Sequence, residues 1–259
     1  MKFCSISSGS SGNCFLVGSD RTNILIDVGV SKKTLINAIN SINITPNMIS
    51  GVLITHEHID HYKGASVICK GLDIPIYLNE RTFRSIQDKL KGVNNVNIID
   101  KMEFSIGDLD IKAFKLPHDA VDPIGYSVLY KKKKLSVVTD IGHISNDIFN
   151  NIRDSDVVLL ESNYNEEMLR LSNYPHFLKE RILSNNGHLS NEECALTIVK
   201  LVRISYKRII LGHLSITSNF PELAYKTSER ILINHGMKIG KDLKLTVAHR
   251  SLPSNYMRF

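Results

Sequence analysis

Within six residues, His56-Glu57-His58-Ile59-Asp60-His61, the chain sets three imidazoles and a carboxylate side by side. The apolar run Val52-Leu53-Ile54 comes directly before them, so the cluster stands at the end of a buried strand. α/β proteins place their sites at such strand ends. His56 and His58 alternate by two and point the same way from extended backbone. Asp60 and His61 then open the helix that follows. The result is two neighbouring half-sites of imidazole nitrogen and carboxylate oxygen, donors that suit zinc, manganese or iron. No thiolate takes part, which favours hydrolysis over a structural zinc. The bland alternative is a histidine-rich surface loop in a chain with 10 histidines. The strand terminus argues against it.

Patterning along the rest of the chain alternates strands and helices. Short strands are expected at Lys2–Ile6, Cys14–Gly18 and Asn23–Asp27, with a Ser/Gly loop over Ser7 to Asn13 between the first two. Ser31 caps a helix that runs to about Ile42. Gly51–Thr55 is the buried strand ahead of the histidines. His61–Leu72 is expected as a helix, Pro75–Leu78 as a strand, and Asn79–Leu90 as a helix capped by its asparagine. Strands follow at Val96–Ile99, Leu109–Leu116, Ile124–Tyr130 and Leu135–Thr139, and later at Val157–Glu161 and Arg208–Leu211 within a more helical half. Ser190-Asn-Glu-Glu193 is a capping box, and Ala195, Ile198, Val199 and Val202 recur behind it at helical spacing. Pro221–Asn234 is a helix stopped by Gly236, and Leu243–Ala248 is the last strand expected. One α/β domain over residues 1–259, with two sheets covered by helices, accommodates this order.

Composition narrows the class. With 42% apolar and 22% charged residues the chain can bury a core and is not a disordered tail. A net charge of +6 gives weak attraction to anionic partners, and solvated lysines account for it equally well. Lys131 to Lys134 reads as such a solvated hairpin turn. Cys4, Cys14, Cys69 and Cys194 form no C-x-x-C pair, which fits free thiols in a reducing compartment. The sequence has no signal-peptide pattern and no run of about 18 apolar residues. A cytoplasmic protein with no membrane partner is the expectation.

The stretch Thr55-His-Glu-His-Ile-Asp-His61 resembles the H-x-H-x-D-H signature of the metallo-β-lactamase superfamily. The resemblance implies an αβ/βα four-layer sandwich with two mixed sheets, and a centre of two divalent metal ions, zinc or manganese. His118 in Lys-Leu-Pro-His118 looks like the third-motif histidine, Asp140 in Val-Val-Thr-Asp140 like the bridging aspartate, and His213 in Leu-Gly-His213 like the last ligand. In that scheme His56, His58 and His118 hold one ion, Asp60, His61 and His213 hold the other, and Asp140 bridges them. Asp27 in Ile-Leu-Ile-Asp27 resembles the first-motif aspartate that buttresses a ligand from behind. Members with di-iron oxygen chemistry usually carry glutamate where this chain has His58, so histidine fits hydrolysis. Taken alone, His118 is equally a loop histidine and Asp140 equally a helix cap.

Fold does not fix substrate. His188 in Asn186-Gly-His188-Leu-Ser190 stands just before a capped helix, whose N-terminus suits a phosphate. It resembles the histidine motif of superfamily nucleases, which implies proton donation to a leaving oxygen; the plain alternative is a residue that helps cap the helix. The small residues of Ser7 to Asn13 let backbone amides approach a ligand, or form an ordinary turn. Ser8, Asn13, Ser190 and Ser215 are the candidate phosphate contacts, with Lys63 and Arg250 as candidate cations for the backbone.

Stretches from Phe3 to Val17, Leu159 to Leu169, Tyr174 to Ile182, Asn185 to Ala195 and Leu211 to Ala224 are similar to the bacterial WalJ (YycJ) family. That similarity covers nearly the whole chain. It implies a 5′-to-3′ DNA exonuclease acting in DNA repair, with DNA as partner, room for a homo-oligomer, and no β-CASP insertion. Two metal ions would supply a hydroxide at neutral pH, with Asp60 and His188 as the catalytic side chains. The competing expectations are a small-molecule phosphodiesterase or thioesterase of the same fold, and a regulatory partner of a cell-wall two-component system whose metal only holds the fold.

Overall fold

The computed structural model describes residues 1–259, the side chain of Asn255 excepted. Alternation along the first strands explains the layering. In β1 (Lys2–Ser7), β2 (Cys14–Gly18) and β3 (Asn23–Ile26), Phe3, Phe15, Val17, Ile24 and Ile26 face one side, and Cys4, Ile6, Cys14, Leu16 and Leu25 face the other. All of them are buried. A strand with apolar residues on both faces must be covered on both.

The chain continues through α1 (Lys32–Ser41), β4 (Ile49–Leu53), α2 (Ile59–Tyr62), α3 (Ala65–Leu72), β5 (Ile76–Asn79), α4 (Glu80–Ile86) and β6 (Val96–Ile99). The second half holds β7 (Glu103–Ile106), β8 (Leu109–Lys115), β9 (Ile124–Tyr130), β10 (Lys133–Val138), α5 (Asn146–Ile152), β11 (Val157–Glu161), α6 (Glu166–Leu171), α7 (His176–Leu183), α8 (Asn191–Val202), β12 (Lys207–Gly212), α9 (Pro221–Asn234), β13 (Leu243–Val247) and β14 (Ser254–Arg258). One sheet runs β14-β1-β2-β3-β4-β5-β6 and the other β13-β12-β11-β10-β9-β8-β7. Each is mixed: antiparallel at one end, and parallel from β3 to β6 and from β10 to β13.

Three apolar layers follow. Phe3, Phe15, Leu53, Tyr126, Leu159 and Ile210 meet between the sheets. Leu35, Ile39, Ile68 and Ile86 bring α1, α3 and α4 onto the outer face of the first sheet. Ile148, Ile198, Leu201, Ala224 and Leu232 bring α5, α8 and α9 onto the second. This is the four-layer αβ/βα sandwich with two mixed sheets. No helix among the described residues is long and apolar enough to cross a membrane, and the four cysteines are buried free thiols.

Several elements differ from the sequence expectation. The last strand is β14, which returns to pair with β1, Lys2 opposite Arg258; its short polar sequence carries no strand pattern. The edge strand β7 is also missed: Glu103-Phe-Ser-Ile106 alternates polar and apolar, but over four residues only. The helix expected over His61–Leu72 is two helices, because Gly64 packs against the loop after β3. A Cβ there would lie 2.1 Å from the Val30 carbonyl oxygen, and the Gly64 amide donates to Val28. The helix expected over Asn79–Leu90 ends at Ile86 and tightens to a 3₁₀ turn, with Asn79 capping as expected. Of the lysines expected to be solvated, Lys133 pairs with Asp156 and Lys134 donates to the Asn151 carbonyl at 2.6 Å.

Candidate metal centre

Five parallel-running strands of the two sheets end at one edge. Asp27 follows β3, His56 follows β4, Asp140 follows β10, Glu161 closes β11 and His213 follows β12. His118 lies beyond β8, which runs with β10 across the antiparallel β9. Backbone geometry marks the same places: Asp27, Asp140 and His213 have φ of 58°, 60° and 53°. Left-handed backbone at a non-glycine residue is costly and persists where the surroundings dictate it.

Three loops interlock beneath the histidines. The Asp60 carbonyl accepts the Asn13 amide, and the Asn13 carbonyl accepts the Gly29 amide, both at 2.8 Å. A Cβ on Gly29 would stand 1.5 Å from the Asp60 oxygen, so only glycine permits this approach. The Asp27 carboxylate accepts the Thr55 amide at 2.9 Å and meets His61 Nδ1 at 2.7 Å. That bond fixes the imidazole with Nε2 toward the cluster. His118 Nδ1 bonds to the Gly187 carbonyl at 3.0 Å and likewise turns Nε2 into the cluster, 3.2 Å from His58 Nδ1.

The donors converge. His56, His58 and His118 form one group; His56, His61 and Asp140 a second; Asp60, His61 and His213 a third; Asp140, Glu161, His188 and His213 a fourth. Within each group the donor atoms lie within 4.8 Å of one another. His61 Nε2 is 3.2 Å from Asp140 Oδ2, and His213 Nε2 is 3.5 Å from Asp140 Oδ1. A cleft of about 170 Å³ opens over them, bordered by Ser10, Asp119, Tyr174, Arg181 and Ser215.

A model of the beta-lactamase superfamily domain matches residues 22–214. The exodeoxyribonuclease YycJ of Bacillus anthracis is 33% identical over 260 residues, covering 98% of this chain and 97% of that protein. The exodeoxyribonuclease WalJ of Streptococcus pneumoniae is 35% identical over 250 residues, covering 94% and 93%. The chain belongs to the metallo-β-lactamase superfamily, in its WalJ-like family. Among solved structures, Zn(2+)-bound PqqB from Methylobacterium extorquens superposes with a TM-score of 0.73 at 15% identity, covering 98% of this chain and all of that one. That likeness concerns the fold.

This WalJ-like chain has a donor set that fits metal ions. His56 Nε2, His213 Nε2 and Asp140 Oδ2 are buried without a hydrogen-bond partner, a state that buried polar atoms avoid unless something else satisfies them. Burial holds His56 and His118 well toward the neutral, ligating form. Burial would also lower His213, but Asp140, Asp60 and Glu161 outweigh it and raise His213 to about 10. His61 is raised in the same way, against burial, by Asp140, Asp27 and Asp60. The carboxylates thus demand positive charge at the centre of the cluster, which divalent cations supply.

The remaining sequence candidates divide. Asn13 Nδ2 donates to Asp60 Oδ2 at 3.1 Å, and the Ser8 hydroxyl accepts the His213 amide at 2.8 Å, so both brace the cluster. Ser190 caps α8 by accepting the Glu193 amide at 3.1 Å. Ser215 borders the cleft. Lys63 donates to the Ser11 carbonyl.

Glu161 is not among the sequence candidates as a site residue. Its Oε1 lies 2.8 Å from both His188 Nδ1 and His213 Nδ1, while Oε2 accepts the Ile141 and Leu189 amides. The signal for it is a carboxylate closing the wholly buried strand Val-Val-Leu-Leu-Glu161. Tyr174, Arg181 and Asp119 also escape the sequence reading. α7 carries Arg181 over the cleft, where it pairs with Asp119, and no local pattern announces that crossing.

Proposed function

We propose that this chain is a metal-dependent phosphodiester hydrolase that removes nucleotides from DNA in the 5′-to-3′ direction, an activity suited to DNA repair. The observation that carries this reading is the convergence of six imidazoles and three carboxylates in overlapping donor groups at one sheet edge. Near-full-length similarity to two exodeoxyribonucleases supports DNA as the substrate.

In this reading His56, His58 and His118 would hold one ion and Asp60, His61 and His213 a second, with Asp140 within reach of both groups. Two divalent ions, zinc or manganese, would polarise the phosphate and lower the pKa of water toward ~7. The chain supplies the rest. Asp60, braced by Asn13, orients the attacking water along the line to phosphorus. His188 gives its Nδ1 to Glu161, so Nε2 is the nitrogen left for the cleft. Burial alone would lower His188, but Glu161 outweighs it and pushes its pKa up, toward the protonated form that a proton donor needs. As the phosphorus–oxygen bond to the sugar breaks, His188 passes that proton to the leaving oxygen.

The test presents the purified chain, with manganese or zinc, with 5′-phosphorylated linear DNA, a generic phosphodiester and a thioester. Release of mononucleotides from DNA, lost in His58→Ala and Asp60→Ala, is expected. Intact DNA in every metal beside a cleaved small ester would assign the chain to small-molecule hydrolysis.

A further inference from the structure

A second cavity, of about 230 Å³, lies beside the cleft and shares Ser215 with it. Ser8, Asn219, Phe220 and Arg250 also line it, and no carboxylate does. Arg250 is its one cation. The guanidinium is held in place by its Nη2, which donates to the Leu214 carbonyl at 2.7 Å. The Arg250 carbonyl accepts the Ser7 hydroxyl at 2.5 Å. Gly9 supplies the space, since a Cβ there would lie 3.0 Å from Arg250 Nη1. That Nη1 is buried and has no hydrogen-bond partner, and among the described residues no acid pairs with Arg250.

A guanidinium held rigidly, half-buried and without a counter-ion is costly unless an anion completes it. Other arginines of this chain, Arg84 and Arg170 among them, have carboxylate partners on the surface. The loops that hold Arg250 are those that hold the metal cluster: Ser8 binds the His213 amide, and Leu214 and Ser215 follow His213 directly. At the rim, Phe220 and Ile216 are 46% and 69% exposed, and an exposed phenyl ring is the kind of side chain on which bases stack.

We infer that the Arg250 cavity is a second phosphate site, taking the phosphate of the DNA strand next to the one being cut, with the attached base against Phe220. This rests on the nuclease reading for the identity of the strand. The site makes the enzyme a reader of two consecutive phosphates, so it separates a polynucleotide from any ester with a single phosphate.

The experiment measures binding of a fluorescent single-stranded oligonucleotide without added metal, at several salt concentrations, so its readout does not require cleavage. Arg250→Gln is expected to weaken binding about tenfold or more and to flatten the slope of log Kd against log salt by about 0.7. Arg250→Lys, which keeps the charge, is expected to retain the slope. Ile216→Glu, at an exposed rim position, is expected to weaken binding in the same sense and covers the case in which Arg250→Gln does not fold. Comparison of 5′-phosphate and 5′-hydroxyl oligonucleotides tells a terminal from an internal phosphate, and a loss with either kind supports the site. An unchanged salt slope in both Arg250→Gln and Ile216→Glu would overturn it. Wild-type protein that binds the strand through Arg250 but cleaves no DNA would sink the nuclease reading and leave this one standing.

Discussion

The carboxylate of Asp27 lies 2.7 Å from His61 Nδ1, and neither side chain has any contact with water. One aspartate thereby sets the tautomer of a histidine at the centre of the cluster and, through Thr55, ties the end of β3 to the turn before His56. Asp27→Asn is expected to lower metal affinity about 10- to 100-fold while the fold survives, read by metal titration of the purified variant. Unaltered affinity would mean that Asp27 serves packing only.

Glu161 binds His188 and His213 through a single oxygen. Glu161→Gln is expected to reduce turnover of DNA about 100-fold or more with a much smaller change in KM. The double variant with His188→Ala is expected to lose little beyond the single ones, because the two act as a unit. Steady-state kinetics of the three variants check this; strictly additive losses would count against a shared role.

Gly29 touches the Asp60 backbone so closely that any side chain must displace it. Gly29→Ala is expected to cost a few kcal/mol of stability and to cut activity more than Gly236→Ala, where the surroundings are open and the cost is only that of a left-handed backbone at φ 78° far from the cluster. Thermal melts and nucleotide release on the two variants provide the comparison.

Much of this architecture is legible in the sequence because buried strands announce themselves. Val52-Leu53-Ile54 ahead of His56, and Ile-Ile-Leu-Gly ahead of His213, place both histidines at strand ends by residue pattern alone. What escapes is set by tertiary contact. β14 and β7 are short edge strands, the one without a strand pattern and the other with an alternation of only four residues, and pairing with β1 and β8 is what defines them. The break at Gly64 depends on a carbonyl from the loop after β3. Arg181 reaches the cleft only because α7 crosses it, and Ser8 meets His213 across 205 residues of sequence.

Asp108 links the β2–β3 turn to the β7–β8 turn, accepting from Ser19 Oγ at 2.6 Å and from Arg21. Those bonds, Ser19 first, hold its carboxyl at about 2, below the usual value near 4. A depressed carboxyl stabilises the fold above its unfolded pKa, and the contribution fades as pH falls from about 4 through 2. Asp108→Asn is therefore expected to be less stable than wild type at pH 7, with most of that gap closed near pH 2, where the folded carboxyl is half protonated. Denaturant melts at the two pH values check the sign; a gap that widened on acidification would contradict it.

The cluster is expected to hold two metal ions, and DNA cleavage is expected to require both. The direct measurement titrates metal-free protein with manganese or zinc and follows nucleotide release from linear DNA alongside the metal bound per chain. The expected result is no release without metal and a rise that levels off at two ions per chain, abolished in Asp140→Ala. Release that is indifferent to metal, or DNA that stays intact at every metal loading, would contradict it.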